Sequence, residues 1–255
     1  GERPNKLGSP GRSPELVRDQ GNAPTSWGVR VGVPNLFGAG GTARAGVPNL
    51  FGLGERPNKL GGVGGSVGVY ELLHSWALWG GRGRTAGRAR GRVLELGVGG
   101  GANLPHYGQP RCMVGVDPSP EALCHAREQA GALRFPVALV RARAEALPFA
   151  AQQFDTVVGT LVFCSVADPA TALVEVRRVL APAGELRLVE HILPARGALR
   201  FLVGLIAPLW FRFSRECRLD RETPQTVLAA GRSLRELRDH AGGVVVELVA
   251  ERSEG

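Results

Sequence analysis

The chain has 255 residues, room for one α/β domain of ordinary size, and an apolar share of 44% that suits a globular protein with a real core. The 31 Lys and Arg against 23 Asp and Glu leave a net charge of +8, which allows an anionic partner such as nucleic acid or lipid without requiring one. There is no run of about 18 uninterrupted apolar residues, so a membrane-spanning helix is not expected.

Residues 1–67 are Gly, Pro, Asn and Arg without sustained periodicity, and they repeat themselves: Gly1–Gly8 returns at Gly54–Gly61, and Gly32–Gly38 at Gly46–Gly52. The repeats are too short and too irregular for a solenoid, so this part is expected to be a disordered, low-complexity extension. Residues 68–255 carry the ordered domain. Val69, Leu72, Leu73 and Trp76 fit one face of an amphipathic helix, and the Gly/Arg stretch from Gly81 to Arg92 reads as a solvated linker.

From Val93 onward, apolar runs alternate with helical patterns. Strands are predicted at Val93–Leu96, Cys112–Val116, Val137–Val140, Thr156–Val158 and Glu185–Val189. One helix starts at Ser119 as N-cap with Pro120 behind it. Another starts at Asp168 with Pro169 and carries Leu173, Val176 and Leu180 on one face. Strand–helix alternation of this kind is the pattern of an α/β fold, a Rossmann-like doubly wound, mostly parallel sheet. Its ligands bind at the carboxyl ends of the strands. Beyond Gly231 only Val244–Val249 reads as a strand, which leaves the C-terminal strand pair incomplete.

The sharpest local signal is Val93-Leu-Glu-Leu-Gly-Val-Gly-Gly-Gly-Ala-Asn103. Gly97 and Gly99 permit a tight turn and close approach of a ligand to the backbone. With Ala102 they also fit a dinucleotide fingerprint. Glu95 decides between ligands: a carboxylate at the strand end repels a pyrophosphate and suits the sulfonium and ammonium of S-adenosylmethionine. Asp117, ending the second strand, is placed to accept from ribose hydroxyls. Taken alone it also fits a cap on the next helix.

These residues resemble the first two motifs of the class I S-adenosylmethionine-dependent methyltransferases. Ala144-Glu-Ala-Leu-Pro-Phe149 and Arg178-Val-Leu-Ala-Pro-Ala-Gly184 are similar to segments of their type-11 group. Asn103-Leu-Pro-His-Tyr107, Thr160–Val166, Glu190-His191 and Cys217–Glu222 look like the methyltransferase-like thiol S-methyltransferases and their bacterial relatives. The resemblance implies that Glu95, Gly97, Gly99 and Asn103 line the methionine end of the cofactor. It places Asp117 on the ribose, Pro118 beside the adenine, Ala144 and Glu145 flanking that ring, and Thr160 and Leu161 closing the pocket. Arg143 stands where many relatives carry an acidic residue, and Ala183 replaces a turn glycine.

The function so implied is methyl transfer from S-adenosylmethionine to a small-molecule acceptor, a thiol or other apolar substrate. RNA or protein methylation, and a truncated or degenerate non-catalytic homologue, are the alternatives. Nucleic acid is not read as a partner, because the paired aromatic and basic motifs of RNA readers are missing. A thiol acceptor ionises readily, so a base is dispensable, and His191 is the candidate if one exists. His106 and Tyr107 face either the acceptor or the core, and Cys164 reads as a small apolar wall residue. The four cysteines are widely spaced with no CxxC pair, so no metal site is expected. Such scattered thiols, and an N-terminus without signal-peptide layout, point to the cytoplasm. The apolar window at 199–213 offers the alternative, peripheral contact with a membrane.

Overall fold

The computed structural model describes residues 80–214 and 217–253. The extension over 1–67 and the helix expected from Val69 to Trp76 lie outside the described residues. Seven strands form one sheet: β1 (Arg92–Leu96), β2 (Cys112–Asp117), β3 (Val137–Arg141), β4 (Phe154–Thr160), β5 (Leu180–His191), β6 (Arg232–His240) and β7 (Val245–Arg252). Their order is β3-β2-β1-β4-β5-β7-β6. The first five run parallel, β7 lies antiparallel to β5, and β6 lies antiparallel to β7. The helices are α1 (Gly81–Thr85), α2 (Pro120–Ala130), α3 (Pro169–Val179), α4 (Ala198–Ser214) and α5 (Thr223–Ala229).

Alternation along β1 and β2 explains the layers. Leu94, Leu96, Val114 and Val116 point to one face, where Ala172, Leu173, Val176 and Val179 of α3 cover them. Val93 and Met113 point to the other, against Leu123, Ala126 and Ala130 of α2. A sheet buried on both faces needs apolar side chains at consecutive positions, which is why these strands read as continuous apolar runs. Both helices start as their sequences predict. Ser119 Oγ accepts from Ala122 N–H at 3.1 Å, and Asp168 Oδ1 accepts from Ala170 and Thr171 N–H at 3.0 and 3.1 Å.

Three sequence expectations are corrected. The helix that starts at Asp168 ends at Val179, so Leu180 does not lie on its face but stands in extended backbone at the start of β5. The Gly/Arg stretch is not a linker: it forms α1 and then a turn of 3₁₀ helix at Ala86–Arg88, with Thr85, Ala86 and Ala89 buried. Gly81 leaves room for Val189 and Glu247, since a Cβ there would meet their side chains at 3.5 and 3.1 Å. Arg84 reaches across to Glu247 of β7, with Nε to Oε2 at 2.9 Å, so a basic stretch that looks solvated is anchored to the sheet. The C-terminal strand pair is also complete, because Arg232–His240 forms β6 and pairs with β7 along its length. Its apolar alternation is masked for two reasons. An edge strand exposes most of its charged side chains, and the register shifts between Leu234 and Glu236.

Candidate functional site

The strand order reverses between β1 and β4, and in such sheets the crevice beyond the carboxyl ends of the strands receives the ligand. Glu95 sits on β1 between Gly115 of β2 and Val158 of β4 and is 1% exposed. Its Oε1 accepts from Asn103 Nδ2 at 2.9 Å, while Oε2 and the neighbouring Tyr107 hydroxyl are both buried without a hydrogen bond of good geometry. Asn103 Nδ2 also lies 2.9 Å from Thr160 Oγ1, and Asn103 Oδ1 accepts from Arg82 Nη1 at 2.7 Å. One asparagine thus ties β1, the end of β4 and α1 around the carboxyl group.

Burial pushes Glu95 up to about 8, against the opposing pull of Asn103, Tyr107 and Arg82. Tyr107 is itself buried, and burial next to the Glu95 carboxylate drives its hydroxyl well above its ordinary value. His106, its neighbour in sequence, is exposed. Of this pair the structure brings only Tyr107 to the carboxylate.

The loop after β1 needs its glycines for two different reasons. Gly97 has φ +58°, and a Cβ there would meet Val162 Cγ2 at 2.8 Å. Gly99 has φ +52°, yet a Cβ would meet nothing closer than a backbone oxygen at 4.0 Å. The first glycine lets the β4 loop close in, while the second presents open backbone to the crevice. Asp117 braces this loop: its Oδ2 accepts from Gly99 N–H and its Oδ1 from Ser119 N–H, both at 2.9 Å. Helix capping falls to Ser119.

The remaining predicted residues lie at or beyond the carboxyl ends of β2, β3 and β4. Pro118 is exposed, and its carbonyl accepts from Arg141 Nε at 3.1 Å. Ala144 is buried in the core on the α3 face. Glu145 turns its carboxylate to the approach of α3, accepting from Ala167 and Asp168 N–H at 3.1 and 3.4 Å. Thr160 ends β4. Leu161 follows it with φ +58°, an uncommon backbone for a non-glycine residue, held by its N–H on Val189 O at 2.8 Å.

Beyond Leu161 lies a second buried cluster. Glu190 accepts from the N–H groups of Val162, Phe163 and Cys164 at 2.9, 2.9 and 3.1 Å, and burial lifts it to about 7. His191 is 5% exposed, with Nδ1 3.2 Å from Cys217 Sγ, and Cys217 Sγ lies 3.7 Å from Cys164 Sγ. Sharing that contact with Cys164 holds the Cys217 thiol below its ordinary value, and raises Cys164 well above its own. Sequence reasoning had treated these cysteines as scattered. It also missed Arg82, whose only signal was its place in a basic stretch, and the bracing role of Glu190.

Comparison with known proteins agrees with this fold. Residues 94–188 match the family model described as a methyltransferase domain. The chain is 35% identical over 147 residues to thiol S-methyltransferase TMT1B of Homo sapiens, covering 56% of this chain and 60% of that protein. It is 38% identical over 111 residues to phosphatidylethanolamine N-methyltransferase of Cereibacter sphaeroides, covering 43% and 55%. It therefore spans less than two thirds of either relative's length. In fold it is similar to an S-adenosylmethionine-dependent methyltransferase of Thermotoga maritima, with TM-score 0.54 and 22% identity over 73% of this chain and 96% of that one.

Proposed function

We propose that this chain, which carries a class I S-adenosylmethionine-dependent methyltransferase domain over residues 94–188, transfers the methyl group of S-adenosylmethionine to a small-molecule acceptor, a thiol or another apolar nucleophile. The observation that carries the reading is the Glu95 carboxyl group, buried at the switch point with open Gly99 backbone in the same loop. Burial keeps this carboxyl protonated, and a cation placed beside it favours the ionised form, so the site is suited to a positively charged ligand. S-adenosylmethionine fits, since it brings an ammonium group and, at its sulfonium, an activated methyl group.

In this reading Glu95, Gly97, Gly99 and Asn103 hold the methionine end, with Asn103 orienting the carboxylate through Nδ2. Asp117 holds the ribose: each of its oxygens already accepts one N–H and retains a lone pair for a hydroxyl. Pro118, Ala144 and Glu145 wall the adenine, the last through its side-chain stem, and Thr160 and Leu161 close the crevice. In-line displacement at an activated methyl group asks chiefly for positioning and exclusion of water. His191 as a base would have to leave Cys217, whereas a thiol ionises near pH 8.5 unaided. The acceptor's proton therefore goes to solvent, and His191 acts by position.

The apolar acceptor is supported by α4 as well as by the likeness to the thiol and phospholipid methyltransferases. Phe201, Leu205 and Leu209 are 76%, 68% and 70% exposed there. The helix carries Arg200 and Arg212 and no acidic residue, which suits peripheral contact with an anionic lipid surface. Among the described residues no helix is long and apolar enough to cross a membrane. The complete β6–β7 pair counts against a degenerate homologue.

Calorimetry with S-adenosylmethionine and S-adenosylhomocysteine tests the cofactor site, and binding of neither would sink the proposal. Asp117→Ala should weaken binding by about 1–3 kcal/mol, the cost of charged hydrogen bonds left unmade. Turnover of small alkyl thiols, set against RNA and lipid amines, tests the acceptor class. Methylation of phosphatidylethanolamine without thiols would move the acceptor to an amine.

A further inference from the structure

Cys164, His191 and Cys217 come from three separate segments: the loop after β4, the end of β5 and the stretch after α4. Their ligand atoms all lie within 4.8 Å of one another, and all three residues are buried. We propose that they form a Cys₂His site for a zinc ion. Two sulfurs on a tetrahedral zinc are about 3.8 Å apart, and a sulfur and an imidazole nitrogen about 3.5 Å. The corresponding separations here are 3.7 and 3.2 Å, so two edges of the tetrahedron are already present to within a few tenths of an ångström. The third closes from under 4.8 Å by side-chain rotation.

The backbone holds each ligand in place before any ion arrives. The Cys164 N–H donates to Glu190 at 3.1 Å, and its carbonyl accepts from Arg218 N–H at 2.8 Å, which locks the Cys217 loop against the Cys164 loop. The Cys217 N–H donates to Ser214 Oγ at the end of α4, at 3.2 Å. His191 is fixed by pairing with Val245 of β7. Fixed supports of this kind are what a metal site needs around its ligands.

Charge supports the same assignment. The lining is largely apolar, with Leu161, Leu193, Val203, Trp210 and Leu219 packed around the cysteines; its polar members are the Ser165 hydroxyl, 3.6 Å from Cys164 Sγ, and the Glu190 carboxyl, which is held on three backbone N–H groups. Two thiolates and a neutral imidazole cancel the charge of a divalent zinc ion, and a neutral complex is what such a lining tolerates. Soft sulfur donors favour zinc over magnesium or calcium. Binding releases to solvent whatever protons the two thiols still hold and involves no electron transfer. Three protein ligands leave the fourth position to a water molecule or another small ligand. The inference does not depend on the identity of the methyl acceptor.

The test uses the full chain, freed of metal by chelation under reducing conditions and titrated with cobalt(II) as a spectroscopic stand-in for zinc. The expected result is a thiolate-to-cobalt absorption that saturates at one equivalent and is abolished by one equivalent of zinc. Cys164→Ser and Cys217→Ser should each cost at least ten-fold in affinity, while Cys112→Ser leaves it unchanged. If the serine variants do not fold, melting of the unmodified chain decides. Stoichiometric zinc should raise Tm, EDTA should reverse the rise, and magnesium should have no effect. A folded chain that binds S-adenosylhomocysteine yet shows neither the absorption nor the Tm shift overturns the site, as does an absorption that survives in both serine variants.

Discussion

At the scale of single residues, Glu95 concentrates the physics of the site. With its carboxyl pushed up to about 8 by burial, it is mostly protonated at pH 7 before a ligand binds. A bound cation favours the ionised form, so cofactor binding at pH 7 should release up to about one proton. Calorimetry in buffers of different ionisation enthalpy reads this directly. Heats that do not vary with buffer, or that vary equally in Glu95→Gln, would remove Glu95 from the cation's neighbourhood. The same shift sets a stability trend for the cofactor-free chain. A carboxyl raised in the folded state binds more protons there than in the unfolded chain. Its contribution is full below the ordinary value of 4.5 and is lost as pH rises toward about 8. Denaturant melts across that window should show stability falling with pH, and Glu95→Gln should flatten the fall.

At the scale of elements, α4 departs furthest from what a soluble surface usually shows. Its inward side contributes Val203 and Ala207 to the core, while Phe201, Leu205, Leu209 and Phe213 face outward. Contiguous apolar surface of this kind marks a contact site. Fully burying a Phe or Leu is worth about 1.5–3 kcal/mol. The double change Phe201→Ser with Leu205→Ser should therefore lower partition onto anionic vesicles by at least ten-fold, as read by co-sedimentation, with Tm nearly unchanged. Equal partition of both proteins would leave α4 without a lipid role. By contrast, β6 is an edge strand several of whose charges form ion pairs, among them Arg235 with Glu185 of β5 and Glu251 of β7. Charges along an edge also discourage further strand pairing.

At the scale of the whole molecule, the antiparallel β7 is inserted between β5 and β6, so it is paired on both sides. Leu248 of β7 is 2% exposed and shares a core with Leu186 and Leu188 of β5 and Val227 of α5. Removing its side chain should destabilise the protein by about 2–5 kcal/mol, with unfolding still a single transition in denaturant. A cost below about 1 kcal/mol would mean that the C-terminal pair is peripheral to the fold. The Arg84–Glu247 ion pair ties α1 to the same strand, which anchors the stretch before β1 beside β5, the last of the parallel strands.

The sequence by itself determined the five parallel strands, the caps of α2 and α3 and the glycine loop with its acidic neighbours. Each rests on local patterns, namely apolar runs, an N-cap followed by proline, and glycines where φ is positive. It misread the Gly/Arg stretch, because a five-residue helix has too few positions to show a period and its arginines are held by Asn103 and Glu247, far along the chain. It missed β6, because exposure and a register shift erase alternation on an edge. The site divides the same way. Glu95 and Asn103 were legible in the sequence, but the bonds from Asn103 to Glu95, Thr160 and Arg82 appear only once α1, β1 and β4 converge. The tertiary structure alone decided that Cys164, His191 and Cys217 meet. No spacing along the chain records a contact made by three strand and helix ends, and sheet order, not sequence distance, brings them within reach.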